Sequence, residues 1–160
     1  MDRHLKDLLS ALNARAVRYV VVGSYALAVH AQPRATGDLD VLVDTAPENA
    51  ASVFAALADF GALLQGLTPK DFEDPDSIFQ IGISPIRIDI IKRITALDFE
   101  TVWTSSVPWL VDDEVPARYI SEEHFIRNKV AVGRPQDLAD VYAVKQAKAA
   151  QLKSSGKVRG

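Results

Sequence analysis

The sequence predicts a mixed α/β (α+β) domain: a small mixed β-sheet, helices packed on one face of it, and a C-terminal helical segment. Three observations predict that class. Short β-branched runs recur along the chain, alanine- and leucine-rich segments at helical spacing alternate with them, and glycine or proline punctuates the joins. With 160 residues, 48% apolar and 24% charged, the chain fits one globular domain and is neither collagen-like, low-complexity nor wholly disordered. Residues 1–153 are read as that domain, and the polar, glycine-ended stretch 154–160 as a frayed tail.

The elements follow in order. Residues 3–15 place Leu5, Leu8, Leu9 and Leu12 on one helical face. Residues 17–22 are β-branched and end at Gly23-Ser24, where an alanine-rich helix over 25–31 begins. A turn over 32–37 leads to the strand 38–43, on which Asp38 and Asp40 share a face. Pro47 and Glu48 open a helix to about Phe60, and Gly61 stops it. The acidic stretch 61–76 predicts no element beyond a short helical turn and is expected to be mobile. Residues 77–83 and 86–91 form a hairpin around Ser84-Pro85, with Ile86, Ile88 and Ile90 facing one way and Arg87 and Asp89 the other. A short helix over 97–105 and strands over 107–111 and 115–120 are architectural. Ser121 caps a helix to Val132, Gly133 ends it, and Pro135 starts a last helix to about Leu152.

Charge narrows the function classes. The net value of −3 argues against a protein built wholly around nucleic acid. Its distribution is uneven: residues 1–114 carry 9 basic and 17 acidic side chains, a balance of −8, and residues 115–160 carry 9 and 4, a balance of +5. An acidic body beside a basic C-terminal segment fits a metal site facing a polyanion, and equally a solvated helix with a lysine-rich tail. No cysteine is present, so disulfides, thiol catalysis and thiolate metal sites are all excluded. The longest nearly uncharged run, 19–32, is too short to cross a bilayer. A soluble, cytoplasmic protein without a membrane partner is expected.

Three features coincide in a candidate site. Gly23-Ser24 joins a strand to a helix, Asp38 and Asp40 sit two residues apart on a strand, and Asp89 stands alone in an isoleucine-rich strand. Carboxylates at that spacing project side by side, and a third from a neighbouring strand completes, on one edge of the sheet, a set of hard oxygen ligands suited to Mg²⁺. Two such ions about 3.5–4 Å apart stabilise the attacking and leaving oxygens of an in-line phosphoryl displacement. A helix N-terminus at Gly23-Ser24 offers backbone N–H groups and a hydroxyl to phosphate, and glycine permits close approach. The Walker pattern is absent.

Gly23-Ser24, then Asp38-x-Asp40, then a later strand aspartate resembles the nucleotidyltransferase superfamily of DNA polymerase β-like enzymes. The text from Tyr19 through Gly23-Ser24-Tyr25-Ala26, and from Pro33-Arg34 to Asp38-Leu39-Asp40, is similar to small bacterial members related to abortive-infection toxin transferases. The run Lys129-x3-Gly133-Arg134-Pro135-x-Asp137-x2-Asp140 looks like the same transferases. The resemblance covers most of residues 16–145. It implies a nucleotidyltransferase-like fold and transfer of a nucleoside monophosphate from an NTP to a hydroxyl of RNA, protein or a small molecule. Asp38 and Asp40 would hold metals, and Asp89 would hold the catalytic metal and help deprotonate the acceptor. Gly23, Ser24, Lys129 and Arg134 would bind phosphate. A cognate antitoxin is implied as a partner. The alternative is a non-catalytic nucleotide-binding or regulatory module of the same fold.

Plainer roles stand beside each residue. Ser24 can cap its helix, Asp38 and Asp40 can begin an exposed strand, and Asp89 can pair with Arg87 or Arg93. His30 reads as a packing histidine. Arg34 either touches substrate or neutralises Asp38 or Asp40. Lys129 either contacts phosphate or lies on a solvated helix, with Asp137 and Asp140 pairing to Arg134 or Lys129. Trp103, Trp109 and Tyr119 read as core or interface residues, since no basic side chains interleave them.

Overall fold

The structure, a computed structural model, describes residues 1–31, 38–83 and 85–159, with side chains described to residue 154. The turn over 32–37, and Arg34 with it, lies outside the described residues. Six strands form one mixed sheet in the order β3-β4-β2-β1-β6-β5. They are β1 Tyr19–Val22, β2 Asp38–Val43, β3 Phe79–Ile83, β4 Ile86–Ile91, β5 Val107–Val111 and β6 Val115–Tyr119. The helices are α1 Arg3–Ala14, α2 Gly23–His30, α3 Pro47–Phe60, α4 Phe99–Thr104, α5 Glu122–Val132 and α6 Pro135–Arg159. A short 3₁₀ segment spans Pro69–Glu73.

The mixed class is therefore as expected, and two of its details differ. Helices do not occupy one face alone: every residue of β1 is buried, and successive strand residues point to opposite faces, so the centre of the sheet is covered on both sides. The aspartates were placed on one edge of the sheet. They lie instead on β2 and β4, adjacent inner strands. The parallel pairing of β2 with β4 needs a crossover, and α3 with the 3₁₀ segment and β3 supplies it.

Local chemistry explains most boundaries. The Asp2 side chain accepts from His4 N–H and caps α1, whose leucines are all buried. Gly61 closes α3 in the left-handed region at φ 95°, where a side chain is disfavoured. The stretch after it is pinned rather than loose. Thr68 and Asp71 form a reciprocal capping box, and Phe72, 1% exposed, packs edge-on between Phe54 of α3 and Phe79 of β3. Composition hid this, because one aromatic residue anchors an otherwise polar segment. Ser121 caps α5 through His124 N–H as expected. α6 continues to Arg159 instead of ending near Leu152, since Lys, Ala and Gln are good helix formers and no proline interrupts them.

Two prolines limit the far side of the sheet. Pro116 has no N–H to offer β1, and the pairing of β6 with β1 is confined to Val21 opposite Tyr119, with Ile120 N–H donating to Val21 O at 3.0 Å. Pro108 lies on the outermost strand, opposite Arg118. No helix among the described residues is long and apolar enough to cross a membrane.

Candidate functional site

Strand register brings the predicted carboxylates together. Val22 of β1 lies opposite Asp40 of β2, Asp40 opposite Asp89 of β4, and Asp89 opposite Gln80 of β3. One row thus crosses four strands. The next row holds Asp38, Arg87 and Gly82. Because side chains alternate, Asp38, Asp40, Arg87 and Asp89 share one face, while Leu39, Val41, Ile88 and Ile90 fill the core from the other.

Chain direction changes abruptly at the end of the first row. β1 runs into α2 without a loop, and Gly23 makes the bend at φ 69°. A Cβ at that position would overlap Asp40 Oδ2, so the missing side chain is what lets the carboxylate lie against the start of α2. The N-cap residue is Val22, whose side chain makes no capping bond. Ser24 therefore does not act as the cap; it sits half-buried within the first turn.

Arg87 ties the face together. Its Nε and Nη2 donate to the two oxygens of Asp89, both at 3.1 Å, and Nη2 also lies 3.1 Å from Asp38 Oδ2. Asp89 thus pairs with Arg87 and not with Arg93, which binds Asp76. Among the described residues no cation is bonded to Asp40 in this way. Burial, followed by repulsion from Asp89 and Asp38, pushes its carboxyl up to about 6, against the attraction of Lys129 and Arg87. The Tyr25 hydroxyl is raised as well, by burial and then by the charges of Asp2 and Asp38.

Lys129 reaches this field from α5. Its Nζ lies 3.2 Å from Asp137 Oδ1 and 3.6 Å from Asp140 Oδ2, over the Phe125 ring. Arg134 grips Asp137 through Nε at 2.7 Å and Nη2 at 3.2 Å, and its backbone N–H donates to the same carboxylate. Hydrogen bonds from Arg134, reinforced by Lys129, hold Asp137 down at about 2 although it is 1% exposed. The expected pairing of Asp137 and Asp140 with these cations is present. Arg134 faces outward, 72% exposed, and is committed to Asp137.

Sequence reading missed the bridging position of Arg87. The signal was there, since Arg87 and Asp89 are two apart on one strand and must share a face. Gln80 was also missed, and finding it requires the register of β3. His30 packs as expected, its Nε2 2.7 Å from Ile120 O. Tyr119 is core, whereas Trp109 is half exposed. A separate cleft lined by Tyr19, Trp103 and Arg118 contains none of the predicted site residues.

Among the described residues no three or more His, Asp or Glu side chains are gathered into a metal-holding group. Arg87 lies between Asp38 and Asp89, where it supplies positive charge. The donor set still fits a hard divalent cation: Asp40 is a carboxylate under-neutralised by its neighbours, and all three aspartates are on one face.

Fold and face together define a mixed α/β protein with a carboxylate row beside a helix start. Compared with protein-family models and with curated protein sequences, the chain matches none.

Proposed function

We propose that this face carries out Mg²⁺-dependent transfer of a nucleoside monophosphate from an NTP to a hydroxyl of RNA, protein or a small molecule. The observation that carries the reading is the pair of facing carboxylates Asp40 and Asp89, with Gly23, the side-chain-free start of α2, against Asp40. Asp38, Asp40 and Asp89 would hold the metal, which when bound neutralises phosphate charge and polarises the reacting phosphorus. The first turn of α2, with Gly23 and Ser24, would receive phosphate oxygens. Asp89 would take the proton of the acceptor O–H as that oxygen bonds to the α-phosphorus. The bond from the α-phosphorus to the bridging oxygen then breaks, and pyrophosphate leaves with the electron pair. Lys129, already oriented by Asp137 and Asp140, would contribute long-range positive charge; Arg134 supports that orientation through Asp137.

One observation favours a second reading, a nucleotide-binding module without transfer: Arg87 already occupies two of the three carboxylates. A single experiment separates the two. The protein is incubated with α-³²P-labelled NTPs, Mg²⁺ and total cellular RNA or lysate, while NTP-induced shifts in melting temperature are recorded with and without Mg²⁺. Transfer predicts a labelled macromolecule, lost in Asp40→Asn. A nucleotide-dependent shift without label favours the module, and neither signal with any NTP removes both readings. A toxin role with a cognate antitoxin stays tied to the resemblance alone.

A further inference from the structure

We infer that the outer part of α6 is a docking surface for single-stranded nucleic acid, with Tyr142 as a base-stacking platform and Lys145 and Lys153 as phosphate contacts. The helix is anchored only through its first turns. Asp137, Asp140, Val141 and Val144 are buried, and its contacts run to α5 and α2. From Lys145 to residue 154 every side chain is exposed except the half-buried Ala147. At 1.5 Å per residue, the stretch 145–159 extends about 22 Å.

The charge of this arm is one-sided. After Asp140 the sequence holds Lys145, Lys148, Lys153, Lys157 and Arg159 and no carboxylate, against a balance of −8 over residues 1–114. Lys148 turns towards α5 and pairs with Glu122 at 3.4 Å. Tyr142 is 66% exposed. With 100° between successive helical residues, Ala149 and Lys153 lie within about 20° of the Tyr142 direction and Lys145 about 60° to one side. An aromatic ring in solvent, an alanine leaving space beside it, and cations along the same line are what a flexible polyanion with stacking bases requires.

A protein helix is served less well. Leu138 and Leu152 are exposed near this line, yet Lys145 and Lys153 interrupt any continuous apolar stripe between and beyond them. The inference goes beyond the transfer reading and does not depend on it, because binding can be measured with no NTP present.

The test is fluorescence anisotropy of a short fluorescein-labelled single-stranded RNA with the full chain, without NTP, across a range of salt. Binding should weaken linearly in log K against log salt. Lys145→Gln with Lys153→Gln should flatten that slope by about 1.4, and Tyr142→Ala should weaken binding roughly tenfold at unchanged slope. Far-UV circular dichroism checks that each variant keeps its helix. Absence of binding at low salt, or wild-type affinity and slope in both helical variants, would overturn the inference. So would a dimer in light scattering that Tyr142→Ala converts to monomer, since the face would then join two copies of this chain.

Discussion

Two clusters of aspartates lie within electrostatic reach of each other and are treated in opposite ways. On the sheet, among the described residues, Asp38 and Asp89 share the Arg87 guanidinium, and the Asp40 carboxyl beside them is driven up to about 6. At the junction of α5 and α6, Asp137 and Asp140 meet Lys129 and Arg134, and Asp137 is driven down to about 2. Each cluster has buried carboxylates, Asp89 in one and Asp137 and Asp140 in the other, and a side open to water at Asp38 and at Arg134. The difference is in charge matching among the described residues: two cations compensate two carboxylates in the helical cluster, whereas three carboxylates rely on Arg87 and on Lys129 at a distance. A finished ion-pair network fixes structure, and an unfinished one attracts a cation or a proton.

The largest effect should come from removing the unfinished charge. Asp40→Asn is expected to lower nucleotide transfer on the order of a hundredfold or more while leaving the metal-free fold intact or more stable. Transfer assays with circular dichroism check this, and wild-type turnover in that variant would remove Asp40 from the chemistry. Breaking the finished cluster should instead cost stability. Asp137→Ala leaves Lys129 with Asp140 alone and Arg134 without its buried partner, and is expected to destabilise the fold by about 3 kcal/mol in urea unfolding. A loss no greater than that of an exposed salt bridge would mean that the cluster is electrostatically idle.

Acid titration sharpens the contrast because the two signs are opposite. Asp40 has a folded value above its unfolded one, so the folded state holds the extra proton between about pH 4 and 6. Stability of the metal-free protein should therefore fall by up to about 2 kcal/mol as pH rises through that window. Asp137 has a depressed value, so its contribution of about 2 kcal/mol is present above roughly pH 4 and is lost as pH falls towards 2. Comparing urea midpoints of the native chain with Asp40→Asn and Asp137→Asn across pH isolates each term. The same slope in both comparisons would contradict the distinction drawn between the clusters. The smallest effect is expected from Arg87→Met. Metal-free stability should drop slightly, and Mg²⁺ should then raise the melting temperature more than it does in the native protein. An unchanged response to Mg²⁺ would show that the guanidinium and the cation do not compete.

Much of the fold was legible because local signals agreed. The leucines of α1, the Pro47 start and Gly61 stop of α3, the isoleucine alternation of β4 and the Ser121 cap each point one way in sequence and in structure. The site was legible in part. Alternation alone put Asp38 and Asp40 on one face and Asp89 on the face opposite the isoleucines. Strand order and register were not legible, and they are what set Asp40 against Asp89 and bring in Gln80. The short helical turn expected within 61–76 is the 3₁₀ segment, but its firm packing was not legible because its order comes from Phe72 contacting distant aromatics. The length of α6 was misjudged for a different reason: serine and glycine near its end look like breakers, but lysine and alanine around them sustain the helix.

Pro108 has a consequence for how the molecule behaves in company. β5 is one of the two borders of the sheet and carries the half-exposed Trp109 and Leu110. An imide at the second residue deprives any incoming extended chain of a donor there, so the sticky side chains beside it are not backed by a complete hydrogen-bonding template. Strand-by-strand growth into aggregates should be resisted at this edge for as long as that ring is in place.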